Sequence, residues 1–146
     1  MSAKKKSSRR SDTSASPRDA PSLFIDRNAW SRVLGKALAD AGIPYVAHHR
    51  EFAGDAPDED WISAVSRERW IAVTRDQNIR RKPNELAAIR VSRAIIFVFT
   101  SGNLSAEDTA SLLVRAHPRI LHAARAAKRP ALFSIRTDGS IGTLAL

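Results

Sequence analysis

Short apolar runs alternate along this chain with stretches in which apolar residues recur every three to four positions. The runs at 22–26, 43–47, 70–74 and 94–100 have strand length, and the last, the most apolar, predicts a central strand buried on both faces. Trp30, Val33, Leu34, Ala37, Leu38 and Ala41 follow the spacing of one helical face, closed by Gly42 with Pro44 just beyond. After a polar loop at 48–57, a second helix opens on Pro57-Asp-Glu-Asp and ends on Arg67-Glu-Arg. Its acids and bases lie where the helix dipole favours each, and Trp61, Ile62 and Val65 face inward. Pro83 suits the first position of a helix that runs to about Val91. Ser105-Ala-Glu-Asp108 resembles a capping box and heads a long helix that buries Leu112, Leu113, Ala116, Ile120 and Ala123 or Ala124. A kink or break is expected within it at Pro118. Strands at 131–136 and 140–144 flank Asp138-Gly139, a hairpin signal. The alternation predicts an α/β domain: a doubly wound, mainly parallel sheet with helices on both faces and an antiparallel C-terminal hairpin.

Composition changes this picture in three places. Residues 1–21 combine Lys, Arg, Ser, Asp and Ala without hydrophobic period, which predicts a disordered basic tail ahead of one folded domain at 22–146. The tail lacks the apolar core of a secretory signal and no run reaches the length of a membrane span, so a cytoplasmic protein without a membrane partner is expected. There is no cysteine, which excludes disulfides, thiolate metal sites and a cysteine nucleophile. The formal net charge is +9; six Lys/Arg oppose two Asp in the tail, and eighteen oppose thirteen acids in the body, which keeps +5 of its own. A basic body favours a polyanionic partner such as nucleic acid, the bland alternative being a solvated basic surface.

Against that basic background, the acids at element ends stand out. Ser22-Leu-Phe-Ile-Asp26 and Trp70-Ile-Ala-Val-Thr-Arg-Asp76 are both apolar runs that end in an aspartate, and Asp58 and Asp60 open a helix between them. In parallel α/β sheets the ligand crevice lies beyond the carboxyl ends of the strands. A carboxylate that ends an apolar strand is costly without a partner. Asp58 also reads as a helix N-cap and Asp60 as a first-turn acid favoured by the dipole. Carboxylates converging there would hold a hard divalent cation, Mg²⁺ or Mn²⁺, which activates water for phosphodiester hydrolysis. Arg75, Arg80, Arg81 and Lys82 border the same edge and would hold the backbone of a phosphodiester substrate. His48, His49, His117 and His122 read as ordinary surface histidines, and neither a Gly-rich phosphate loop nor a serine nucleophile elbow is present. A receiver-type phosphoacceptor at Asp26 would require paired acids after its first strand and a late lysine, which the sequence lacks.

Phe24-Ile-Asp-Arg-Asn28, Pro57-Asp-Glu-Asp-Trp-Ile62 and Trp70-Ile-Ala-Val-Thr-Arg-Asp76, followed by Ile79-Arg-Arg-Lys-Pro-Asn-Glu85, resemble PIN-like nucleases, in particular the VapC-type toxins of bacterial toxin–antitoxin systems. The resemblance spans roughly residues 22–136. It implies a Rossmann-like parallel sheet and Mg²⁺- or Mn²⁺-dependent cleavage of RNA. It also implies Asp26, Asp76 and either Asp58 or Asp60 as metal ligands, with Glu85 as an additional or outer contact and Asn28 and Thr74 orienting the ligands. A cognate antitoxin protein is the implied partner, and a homodimer is compatible with it. One departure leaves the number of metals open: the further late acid common in the larger family has no counterpart, since Glu107 and Asp108 read as cap residues. The resulting expectation is a metal-dependent endoribonuclease toxin. The alternative is a non-catalytic nucleic-acid-binding or regulatory module on the same fold.

Overall fold

The computed structural model describes residues 20–146, so the tail expected at 1–21 lies outside the described residues except for Ala20 and Pro21. Strands β1 (Leu23–Ile25), β2 (Tyr45–Ala47), β3 (Ile71–Thr74), β4 (Ile95–Phe99), β5 (Ala131–Ile135) and β6 (Ile141–Leu144) form one sheet in the order β2-β1-β3-β4-β5-β6. All neighbours pair parallel except β5 and β6, the antiparallel hairpin. The mixed, mostly parallel α/β sheet expected from the alternation is the sheet observed.

Strand periodicity sorts the side chains onto two faces. Leu23, Ile25, Ile71, Val73, Ile95, Phe97 and Phe99 face one core, closed by α1 (Arg32–Asp40) and α5 (Ala106–Ala126) through Leu34, Leu38, Leu112, Leu113 and Ile120. Phe24, Ala72, Ile96 and Val98 face the other, closed by α3 (Asp58–Arg67) and α4 (Pro83–Ser92) through Trp61, Ile62, Val65 and Ile89. Phe24 stacks against Trp61 and Trp70, each ring centroid 5.5 Å away. Phe24 and Trp61 are fully buried, and each such side chain contributes roughly 1.5–3 kcal/mol of transfer free energy. From β1 the chain moves out to β2 and then returns to the opposite side of β1 to lay down β3. The crevice between the carboxyl ends of β1 and β3 is therefore the topological switch point of the sheet.

Several local expectations are corrected. The strand predicted at 43–47 begins at Tyr45, because the Ile43 N–H closes α1 by donating to the Leu38 carbonyl at 2.9 Å while Gly42 takes a left-handed φ of 73°. Trp70 is likewise withheld from β3, since its N–H donates to the Val65 carbonyl at the end of α3. The polar loop expected at 48–57 contains a short helix, α2 (His48–Glu51). Val33 is 38 % exposed, because the buried face of α1 is centred on Leu34, Gly35 and Leu38. Gly35 is needed under Trp30, whose ring would collide with any β-carbon there. Helix α5 runs unbroken through Pro118; Leu112, Leu113 and Ala116 on one side and Ile120 on the other pack into the same core and hold the turn that lacks one N–H bond. His48 and His117 are buried rather than on the surface.

Candidate active site

Strand register brings the site together. Ile25 pairs with Ala47 on one side and with Val73 on the other, so the next rank across the carboxyl edge is His48, Asp26 and Thr74 side by side. Asp26 is 2 % exposed. Its Oδ2 accepts from Thr74 Oγ1 at 2.8 Å, and its Oδ1 from the Arg27 backbone N–H at 2.8 Å. Its carbonyl accepts from the N–H groups of Ala29 and Trp30, which turns the chain toward α1. Burial pushes the Asp26 carboxyl above its ordinary range; the Thr74 and Arg27 hydrogen bonds oppose this, and the nearby Asp58 charge reinforces it.

Thr74 links the two strand ends. Besides serving Asp26, its hydroxyl oxygen accepts from the Asp76 N–H at 3.1 Å. Asn28 supports the same junction, its Oδ1 3.0 Å from the Arg75 N–H and 3.3 Å from Thr74 Oγ1. Asp76 accepts from the Asn78 N–H at Oδ1, opening the 3₁₀ turn Ile79–Arg81, and from Lys82 Nζ at Oδ2 at 2.6 Å. That contact holds the Lys82 ammonium above its usual pKa. On α3 the N-cap is Pro57, so Asp58 does not cap the helix. Its Oδ1 instead accepts from Trp61 Nε1 at 3.1 Å and from Arg27 Nη2 at 3.2 Å. Glu85, from the first turn of α4, is pushed above the ordinary carboxylate range by burial, with Glu59, Asp58 and Asp76 adding repulsion and Lys82 opposing it.

Asp26, Asp58, Asp76 and Glu85 thus bear electrostatically on one region, together with Glu59, Arg27 and His48. Asp60 is exposed and takes no part in these interactions. The basic run does not point one way. Arg75 Nη2 donates to the carbonyls of Gly102 and Leu104, Arg80 to that of Ala145, and Arg81 to Asn78 Oδ1, leaving Lys82 as the member turned onto an acid. Arg75 precedes the 3₁₀ turn, Arg80 and Arg81 lie in it and Lys82 follows it, so adjacent positions meet different partners.

Three participants are not evident from the sequence. Arg27 has a signal, a cation directly after a strand-ending acid. Glu59 lies inside an acidic run whose helical phase the sequence leaves open. His48 carries no signal until register places it beside Asp26. It is 1 % exposed, with Nε2 unpartnered among the described residues, and its ring packs against Phe24 and Phe52. Burial lowers its pKa, with the Asp26 charge opposing.

The donor set, all carboxylate oxygen on one sheet edge, is chemically suited to a hard divalent cation. Among the described residues, however, no three His, Asp or Glu side chains surround a common point where a metal ion could sit. The acids share an edge without forming a ready-made cage, and Arg27 and Lys82 pair with Asp58 and Asp76 there.

A family model described as a PIN like domain matches residues 21–101, more than half of the chain, and takes in β1 to β4 with every residue of this edge. No curated protein and no solved structure matches the chain.

Proposed function

The chain belongs to the PIN-like domain family, a nuclease-type fold, and on that premise we propose that it is a metal-dependent endoribonuclease. The observation that carries the reading is the Asp26–Thr74–Asp76 junction just beyond two adjacent parallel strands, where the Thr74 hydroxyl donates to the Asp26 carboxylate and accepts the backbone N–H of Asp76 at the switch point. Asp26, Asp58 and Asp76 would hold Mg²⁺ or Mn²⁺, with Asp58 favoured over Asp60 because it shares the electrostatic neighbourhood of Asp26. When bound, such an ion activates water and stabilises the departing oxygen of a phosphodiester. The protein's own part is positional. Thr74 and Asn28 fix the Asp26 and Asp76 segments, Glu85 adds negative charge beside them, and Arg81 with Lys82 offers cationic contacts to the RNA backbone.

The finer reading, the toxin of a toxin–antitoxin pair with an antitoxin protein as partner, is supported by the sequence resemblance to VapC-type proteins. It predicts a short neighbouring reading frame whose product relieves growth inhibition on co-expression. Among the described residues no helix is long and apolar enough to cross a membrane.

The test uses the purified chain, labelled single-stranded RNA and tRNA, with Mn²⁺ or EDTA. Metal-dependent cleavage that is lost in Asp76→Asn while RNA binding survives or tightens supports the nuclease. A specific observation favours a second reading, a nucleic-acid-binding module without turnover: Arg27 and Lys82 already neutralise part of the acidic edge. RNA binding without metal-dependent cleavage on any RNA would establish that module instead.

A further inference from the structure

The two cations on the acidic edge are held differently. The Arg27 guanidinium has three fixed partners: Asp58 Oδ1 at 3.2 Å and the carbonyls of Gly54 and Ala56 at 2.8 and 3.2 Å. It fastens the loop before α3 and cannot leave without freeing that loop. Lys82 has one partner, Asp76 Oδ2, and its side chain is 47 % exposed against 16 % for Asp76. Its ammonium, half in solvent and held by a single acceptor, can return to water without freeing any other part of the chain. Asp76 Oδ1 is meanwhile satisfied by the Asn78 N–H, so the oxygen under Lys82 is the one a new cation would have to take. Asp26, Asp58, Glu59, Asp76 and Glu85 lie around this edge, and the ion pairs Arg27–Asp58 and Lys82–Asp76 engage only two of them.

We propose that Lys82 is a displaceable counter-ion: a divalent cation taking Asp76 expels the ammonium, which is then free to contact an RNA phosphate. This rests on the metal-dependent nuclease reading and adds a coupling to it. An ammonium that must be displaced lowers metal affinity, and once released it raises RNA affinity. The linkage is reciprocal, so RNA that draws Lys82 away tightens metal binding in turn. Lys82 is a positioning residue in this scheme, acting through Asp76 before metal binds and on the phosphate afterwards. A purely structural staple on Asp76 would behave oppositely, its removal loosening the ligand and weakening metal.

The experiment measures Mn²⁺ affinity, by the electron paramagnetic resonance of free Mn²⁺, for the full chain and for Lys82→Met, Lys82→Arg and Asp76→Asn. The anisotropy of a labelled single-stranded RNA is followed alongside, with and without Mn²⁺, before cleavage proceeds. Lys82→Met should bind Mn²⁺ about tenfold more tightly than the parent, within the usual range of coupling between sites. Lys82→Arg, which keeps the charge, should stay near the parent. Mn²⁺ should tighten RNA binding by the parent and steepen its log–log salt dependence by about 0.7, one phosphate contact on a single strand. Lys82→Met should show neither change. Equal or weaker Mn²⁺ binding by Lys82→Met overturns the proposal and leaves the nuclease reading intact if the parent still cleaves. Mn²⁺ binding that is unaltered in Asp76→Asn, or absent from both the parent and Lys82→Met, overturns both.

Discussion

Asp26 and Asp138 each stand just beyond a strand, and they are held in opposite ways. Asp138, in the exposed β5–β6 turn, takes both bonds from Ser140: the hydroxyl at 2.6 Å and the N–H at 2.9 Å. Those bonds, the hydroxyl first, pull its carboxyl below the ordinary range. Around it Arg115 and Arg119 donate to the carbonyls of Thr137 and Gly139, and Gly139 takes the left-handed φ of 87° that the turn needs. Everything there shapes a loop. Asp26 is buried, pushed up in pKa, and partnered by a hydroxyl 48 residues away. A carboxylate satisfied by its neighbours in sequence closes a turn at no cost to the fold. One inserted into the core edge must be stabilised by the tertiary structure, here by the Thr74 hydroxyl and the Arg27 N–H.

The largest way to break this contrast is to neutralise the site. Asp76→Asn should lower Mn²⁺-dependent RNA cleavage by roughly 10³-fold or more, the several kcal/mol that a metal contributes to such a transition state. Asp138→Asn should leave the rate unchanged in the same gel assay. If both variants cleave like the parent, the acids at the β1/β3 edge are not the reacting centre.

Packing on the opposite face should cost stability and spare the chemistry. Leu113 is fully buried between α5 and the sheet, and Leu113→Ala should lower unfolding free energy in urea by about 2–5 kcal/mol. Mn²⁺ should still raise its melting temperature, as in the parent and unlike in Asp76→Asn. Loss of that response in Leu113→Ala would mean that the two faces are not independent.

A smaller effect, of unexpected sign, concerns Asp26 itself. Its folded pKa is raised above the unfolded value of about 4. The folded state therefore holds the proton more tightly, and this contribution is complete below about pH 4 and lost as pH rises through the folded value. In metal-free buffer, Asp26→Asn should melt higher than the parent at pH 7, with the gap closing toward pH 4. A variant less stable at pH 7 would show that the Thr74 bond outweighs the buried charge.

His117 provides the converse and a still smaller shift. It is buried on α5, Nε2 has no partner among the described residues, and burial lowers its pKa. Its contribution is complete above the unfolded value of about 6.5 and fades as pH falls toward the folded one. His117→Leu should flatten part of the loss of melting temperature between pH 7 and pH 5, and His48, also lowered by burial, contributes with the same sign. An unchanged pH profile would assign that loss to other groups.

Much of this architecture is legible in the amino-acid sequence. Apolar runs and the Asp138-Gly139 hairpin signal locate five of the six strands to within a residue or so, and for β1, β3 and β4 burial on both faces tolerates few sequences. Asp26 and Asp76 are visible in the sequence as acids that end apolar runs, whereas Asn28 and Thr74 come into view only through the family resemblance. The same reasoning misjudges β2 and the helix boundaries, where a single N–H, Ile43 or Trp70, is claimed by the preceding helix instead of the sheet.

What the chain alone determined is its inventory: a basic body, an alternating α/β order, and acids stationed at element ends. Tertiary structure decided the partnerships. The strand order set β1 between β2 and β3, and so placed His48 and Thr74 on either side of Asp26. Helical phase turned Asp58 toward Asp26 and Asp60 to solvent, although both lie in one acidic run. Short turns sent Arg75 and Arg80 to backbone carbonyls and Lys82 to Asp76, although all follow the same strand. Hydrophobic pattern reports only which side of an element is wet. Which charge meets which depends on register, on phase and on a few turn dihedrals, quantities that exist only once the elements have packed.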